Sequence, residues 1–372
     1  MTKITQAPWQ VQDELIEQPS WGGRYIIDLK GLTDDVRWKD KKVGQSYELA
    51  KASKLIDPDG GAVVALAELI QQDPAAVLGQ KVLDAHGADL SLLIKLTQAK
   101  SNSFQVHLPE GKTLGQWIPK PEAWFYLAPG LYTFGLKAGT DFEAYKRVLH
   151  TLDDEMKRLS QEIKNGRLTL ENARAQAQER ISALDPFAYV NTVVAQTDDV
   201  IDLTPGAIHH SWEDDSERFP DGNLVYEVQV DVPDDKCSMR GFDKGKILDD
   251  GTLRATHVAD YLTTINPDPE HNELSRHIRK PEVIAEADGG KTERLFRTPY
   301  FNLDRVTVTA GKSLPQSLAD GFHHLFVHGG TATIGGTTLA RGRSYLVPAS
   351  LGEYTLDAEG EDAVILKTYL PV

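Results

Sequence analysis

Apolar positions follow one rhythm up to about residue 140, another to about 184, and then return to the first. In the first stretch short apolar runs alternate with turn residues. Residues 44–50 read as a strand, and 90–97 (LSLLIKLT) are apolar enough for a strand buried on both faces. Between them 57–62 is a turn, 63–72 has helical spacing, and 75–83 holds a further short helix. Residues 1–20 read as an irregular lead-in. Residues 20–27 read as a tight turn into a strand, with Gly22 and Gly23 supplying positive φ or close backbone approach. From Asp141 the period becomes three to four: Val148, Leu152, Met156, Leu159 and Ile163 lie on one face. That predicts helices over 141–164 and 168–184, capped by Thr140 and Thr169 and joined at Asn165-Gly166 into an antiparallel hairpin. Strand patterning returns at 199–203 and 224–232, the latter with Glu227 and Gln229 on one face. Residues 251–284 read as a helical link (255–264, then 272–279). From Thr298 the chain is short strands and turns at fairly even spacing, the signature of a β-sandwich or jelly roll.

Composition narrows the class. The 372 residues suggest two or three domains, and 40% apolar content is ample for sizeable cores. A net charge of −15 argues against a general nucleic-acid surface, which needs a basic footprint. Cys237 is the only cysteine, so no intrachain disulfide forms and nothing points to an oxidising compartment. No signal-peptide core opens the chain and no apolar run approaches the ~18 residues of a membrane span. The expectation is a cytoplasmic protein with no membrane or nucleic-acid partner.

Candidate chemistry lies in residues 101–127. Gln105 and His107 are two apart in a strand-like run and leave the same face. Glu122 opens a second strand-like run, and the turn-rich connection (Pro109, Gly111, Gly115, Pro119, Pro121) can return it beside the first. An amide oxygen, an imidazole and a carboxylate would then converge as three ligands for a divalent metal.

With these residues in order, the sequence resembles the type I phosphomannose isomerases of the cupin superfamily. The resemblance runs through Trp21-Gly22-Gly23, Glu48, Leu92-Leu-Ile-Lys95, Gln105-Val-His107, Lys120-Pro-Glu122, Pro205-Gly-Ala-Ile-His209, Glu227-Val-Gln229 and Arg240-Gly-Phe-Asp-Lys-Gly-Lys246. Leu108 separates His107 from Pro109, where the family has His-Pro directly. The resemblance implies a mainly β fold with helical insertions: two cupin-type jelly-roll β-barrels linked by helices. A metal-binding catalytic barrel would span 1–140 plus 185–250, interrupted by the hairpin at 141–184. A helical linker over 251–290 would lead to a C-terminal barrel over 291–372. That barrel lacks a metal site, because His323 and His324 are adjacent and would point to opposite faces.

The resemblance further implies that Gln105, His107, Glu122 and His209 ligate one divalent metal, zinc first among the options, with His210 competing for the last place. It implies interconversion of mannose 6-phosphate and fructose 6-phosphate through an enediol. Arg240, Lys120 and Glu227 would carry catalysis, and Lys95, Ser103, Lys246 and Asp243 would hold the sugar phosphate. The base stays open between Lys120, if burial or neighbouring cations depress its pKa, and the carboxylates Glu227 and Asp243. Lys95, Lys120, Arg240 and Lys246 together would place several cations in one cleft, which calls for an anionic ligand. Another sugar or sugar phosphate, or a non-catalytic sugar-binding cupin, is the alternative. The assembly is expected to be a monomer or homodimer, with the hairpin packing on the barrel or serving self-association.

Overall fold

A computed structural model describes residues 1–372 except 1–3, 5, 204, 205 and 210, and Ser211 by its backbone alone. The chain is mainly β, with antiparallel sheets and an inserted pair of helices. Two large sheets lie back to back. The first has seven strands in the order Ile278–Arg279, Val200–Asp202, Glu122–Tyr126, Asn223–Val230, Leu92–Ala99, Val43–Leu49 and Glu14–Glu17. The second has nine, and His323–Gly329, Ser344–Val347 and Ala363–Tyr369 lie near its middle.

Period-two alternation explains the stacking. From the nine-stranded sheet, Phe326, Leu346 and Leu366 pack toward Ile94, Tyr226 and Val228 of the seven-stranded sheet. The intervening Leu325, Tyr345 and Ile365 pack toward Leu356 and Leu314 of a four-stranded sheet on the other side. Trp124, Tyr126 and Val225 leave the far face of the seven-stranded sheet and meet Tyr132, Phe134 and Trp212. Strands buried on both faces follow, and all eight residues of Leu92–Ala99 are buried. His323 and His324 do point opposite ways. His323 Nδ1 is 2.8 Å from Tyr354 Oη, while His324 contacts the Glu48 carbonyl and Tyr226 Oη across the sheet interface.

Several elements depart from the sequence expectation. The lead-in is not irregular: Trp9–Val11 and Glu14–Glu17 are strands, and Trp9–Val11 pairs with Ser344–Val347 on one side and Lys54–Ile56 on the other. Residues 24–27 do not form a strand. Tyr25–Leu29 is a short helix whose adjacent Ile26 and Ile27 are both buried, which a one-sided strand would not permit. Gly22 is needed for close approach, since a Cβ there would lie 2.7 Å from the Gln18 carbonyl oxygen and the Val43 carbonyl carbon. The helices of the hairpin are Phe142–Lys164 and Leu170–Leu184. Thr169 caps the second as expected, but Asp141, not Thr140, caps the first by accepting from the Ala144 N–H. In 251–290 the α-helix is confined to Val258–Thr264. Glu282–Ala287 is an edge strand with all six residues exposed, so no buried face marked it in the sequence.

Candidate metal centre and cleft

Strand register assembles the site. Lys95 lies opposite Glu227, Glu227 opposite Trp124, and Gln229 opposite Glu122 across three neighbouring strands. A separate two-stranded pairing sets Arg240 opposite Gln105. Gln105 and His209 bond each other through both main-chain N–H groups, at 3.1 and 2.8 Å. Gly206, at φ +75°, packs on Pro109: a Cβ there would come within 2.6 Å of the proline ring. This contact joins the segment after His107 to the one before His209, and Leu108 is accommodated as a buried core residue. Pro205 and His210 lie outside the described residues.

His107, Glu122 and His209 converge, buried, with ligand atoms within 4.8 Å of one another. The hydrogen bonds fix the tautomers. His107 Nδ1 is 2.7 Å from the Cys237 carbonyl and His209 Nδ1 is 2.6 Å from the Ala207 carbonyl, so each Nδ1 carries the proton. A ring so held, when neutral, presents the Nε2 lone pair. His107 Nε2 is 3.0 Å from Glu122 Oε2. Burial, then the nearby Lys120 ammonium, pushes the His107 pKa down, so both atoms are acceptors facing one another. A cation between them resolves that conflict, and imidazole held by a carbonyl behind it is the usual outer support of a metal ligand. Trp124 Nε1–H donates to Glu122 Oε1 at 3.0 Å and holds the carboxylate in place. The residues therefore fit a divalent ion bound by two nitrogens and one oxygen. Gln105 Nε2 donates to Ser103 Oγ at 2.7 Å, so the hydrogen bonds of its amide nitrogen leave the amide oxygen as its acceptor.

Behind the triad runs a buried chain of charges. Lys120 Nζ is 3.0 Å from Glu122 Oε2 and 4.0 Å from Glu227 Oε1, and Lys95 Nζ is 2.9 Å from Glu227 Oε1. Thr97 Oγ1 donates to the other Glu227 oxygen at 3.0 Å. Burial raises the Glu227 pKa to about 7; Lys95 opposes the shift and Glu122 adds to it. For Lys120, burial favours the neutral amine, but Glu122 and Glu227 outweigh it and the pKa moves up. The condition for a neutral Lys120 is thus unmet while Glu122 is its partner.

A cleft of about 480 Å³ opens over this chain and is lined by Lys95, Gln105, Lys120, Trp21, Tyr47, Trp212 and Gln229, among others. The remaining predicted residues sit elsewhere. Glu227 lies wholly buried beneath Lys95 and Lys120. Arg240 is buried against Asp234. Ser103 is fully buried under Gln105. Lys246 and Asp243 line an adjoining cavity of about 30 Å³, with Leu152 and Met156 of the first hairpin helix. The expectation that Lys95, Lys120, Arg240 and Lys246 share one cleft is therefore corrected. Lys95 and Lys120 line it, Arg240 and Lys246 do not, and Lys95, Lys120 and Arg240 each have a carboxylate at salt-bridge distance. Asp234 and Arg254 line the cleft and were missed in the sequence. Both sit in polar stretches that no motif distinguishes. The acidic stretch after His210 is partly spent on structure, since Glu213 binds Lys244 at 2.8 Å and Thr133 at 2.7 Å.

No protein-family model matches the sequence, and no curated protein matches it. Solved structures do. The mannose 6-phosphate isomerase of Bacillus subtilis is 15% identical, with a TM-score of 0.68 over 98% of this chain and 100% of that one. The mannose 6-phosphate isomerase of Salmonella typhimurium, solved with its substrate fructose 6-phosphate and zinc, gives the same identity, score and coverage. At this identity the likeness establishes the fold over the whole chain, the one those two structures share, and nothing finer.

Proposed function

We propose that the protein is a cytoplasmic, metal-dependent aldose–ketose isomerase, with mannose 6-phosphate and fructose 6-phosphate as the pair it interconverts. The observation that carries this reading is the buried His107–Glu122–His209 group, with each Nδ1 held by a main-chain carbonyl, next to a cleft lined by its neighbours Gln105 and Lys120. The structural relatives' substrate supports the choice of sugar phosphate. His107, Glu122 and His209, with Gln105 as fourth ligand, would hold one divalent ion, zinc by donor chemistry. Bound there, such an ion acts as a Lewis acid toward negative charge developing on the sugar oxygens.

The chain's own residues do the rest. Moving a proton between C1 and C2 needs a group that can give and retake it at the cleft surface. Lys120 lines the cleft and contacts both Glu122 and Glu227. To take the carbon proton, Lys120 first passes one of its own to Glu227, 4.0 Å beneath it and with a pKa near neutrality. It then delivers the carbon proton to the neighbouring carbon and recovers its own from Glu227. Lys95, on the other side of Glu227, orients a sugar hydroxyl. Arg240, fixed by Asp234, contributes positive potential next to Gln105.

The test is a coupled assay of zinc-loaded protein with mannose 6-phosphate, free mannose and other hexose phosphates, repeated in deuterated water. Expected are turnover and solvent deuterium in the product, with Lys120→Met lowering kcat by about 10²–10⁴-fold while metal content is retained. Binding across the panel without turnover would instead mark a sugar-binding protein.

A further inference from the structure

Among the charged side chains at the cleft, Arg254 differs in how its charge is met. Lys95, Lys120 and Arg240 each have a carboxylate in direct contact, and Lys244 has Glu213 at 2.8 Å. The carboxylates nearest Arg254 stand off: Asp243 Oδ1 is 3.9 Å from Nη1 and Asp234 Oδ2 is 4.0 Å from Nη2. Both have other cations to serve. Asp234 is bonded to Arg240, and Asp243 is next to Lys246 in the small cavity. The remaining contact of Arg254 is a long one, Nη1 to Asn102 Oδ1 at 3.4 Å, at an oxygen that also takes the Ser103 N–H at 2.9 Å. A guanidinium carries five N–H donors in a planar fork. Most of those of Arg254 are therefore free for something else.

Its position gives that capacity a use. Arg254 lines both the cleft and the small cavity holding Lys246, so it stands at their junction. Asn102 Oδ1 also accepts from Gln105 Nε2, at 3.4 Å, which places Arg254 one side chain away from a metal-ligand candidate. Arg240 lies close by and keeps a buried Nε–H without a partner. Two guanidiniums stand here with Lys246 near, and Glu213 and Asp214 act on Lys246 beside Asp243. Among the described residues Asp234 and Asp243 are therefore the carboxylates near Arg254, and neither is in direct contact with it. Ser103 is sealed beneath Gln105, and Lys246 is turned to the Ser101 carbonyl at 3.2 Å.

We infer that Arg254 is the anchor for the anionic end of the substrate, and so the residue that sets preference for a phosphorylated over a free sugar. The inference rests on the sugar-isomerase reading of the cleft. The fork of a guanidinium suits a phosphate's paired oxygens better than an ammonium does. Loss of a charge-assisted contact of this kind is worth about tenfold to a hundredfold in affinity.

The experiment measures binding of mannose 6-phosphate and of mannose by calorimetry, beside turnover of both, in zinc-loaded wild type, Arg254→Gln and Arg254→Lys. Zinc content is determined for each protein. In Arg254→Gln, affinity for the phosphorylated sugar should fall about tenfold to a hundredfold and affinity for mannose by much less. Arg254→Lys should lie between wild type and Arg254→Gln, because it keeps charge without the fork. Equal losses for both sugars, no loss, a wild type that does not distinguish them, or zinc lost from Arg254→Gln would each overturn the inference. If wild type binds but does not turn over either sugar, the isomerase reading fails while the binding comparison still decides the role of Arg254.

Discussion

At the scale of single residues, two facing acceptors define the site. His107 Nε2 and Glu122 Oε2 are 3.0 Å apart with the ring proton committed to Cys237. The Lys120 ammonium, 3.0 Å from the same oxygen, offsets the carboxylate charge, while the imidazole lone pair can ligate an ion. Elemental analysis of dialysed protein should find close to one equivalent of zinc or a related ion, and His107→Ala or His209→Ala should each remove it. Metal retained by both variants would refute the assignment. Glu227 supports a second prediction. Its ordinary pKa of 4.5 is raised in the fold to about 7, chiefly by burial. Between those values the folded state keeps a proton that the unfolded chain has lost, so this group makes stability fall as pH rises through the window. In chelator-treated protein, the melting temperature of Glu227→Gln relative to wild type should therefore climb from pH 4.5 to pH 7; an unchanged difference would show that Glu227 titrates normally. Gln105, His107 and Glu122 were legible in the sequence by residue type and spacing, but not by the way they meet. Phe104–Val106 pairs with Met239–Phe242, and Glu122–Tyr126 with Asn223–Val230 and Val200–Asp202, so the two strands do not lie side by side as expected and distant segments bring them together. Arg254 was not. Its role depends on which carboxylates stand off by an ångström, and no spacing in a sequence reports that.

The hairpin Phe142–Lys164 and Leu170–Leu184 shows what an element does beyond its own pattern. Of the face the three-to-four spacing foretold, Val148, Leu152 and Leu159 are buried and Met156 and Ile163 are partly buried, while Leu149, outside that spacing, is buried as well. What they bury against could not be read ahead. Tyr145 Oη meets Tyr261 Oη at 3.0 Å, and Thr256 Oγ1 donates to Asp153 at 2.6 Å. The Ile181 side chain packs on Gly245, where a Cβ would lie 2.6 Å from it. These contacts fall along the segment from Arg240 to Tyr261 that carries Lys246 and Arg254. Leu149→Ala should cost about 2–5 kcal/mol in urea unfolding, with metal content unchanged, because the metal ligands are held by other elements. A larger loss of metal than of stability would contradict that division. Helix ends were less legible than helix faces. Thr140 and Asp141 are both good caps by type, and only the backbone decides that Asp141 bonds the Ala144 N–H. Short exposed strands such as Glu282–Ala287 leave no periodic trace at all.

At the scale of the whole molecule, the two large sheets are fastened by a buried ionic knot as well as by apolar packing. Lys30 Nζ lies 3.0 Å from both Asp13 and Glu48 and donates to the Gly342 carbonyl at 3.1 Å. Arg343 bonds Asp13, and Ser344 Oγ donates to Glu48 at 2.6 Å. Removing one partner leaves a buried charge unmatched, so Lys30→Met should cost about 3–5 kcal/mol. Thermal unfolding should remain a single transition reported alike by the environments of both sheets. Separate melting of the two would refute the coupling.

The strand Trp9–Val11 fits between Ser344–Val347 and Lys54–Ile56, with Trp9 opposite Leu346. During synthesis at ordinary rates, residue 9 is made on the order of tens of seconds before residue 346 exists. Its buried indole must wait in solvent or in makeshift contacts through that interval. Loop-closure entropy grows only slowly with length, so the long reach costs the finished protein little in stability and is felt as time. A circular permutant that joins the existing ends and opens the chain elsewhere should then keep the melting temperature while changing the refolding rate. The residues that leave the ribosome early are among the last to find their place.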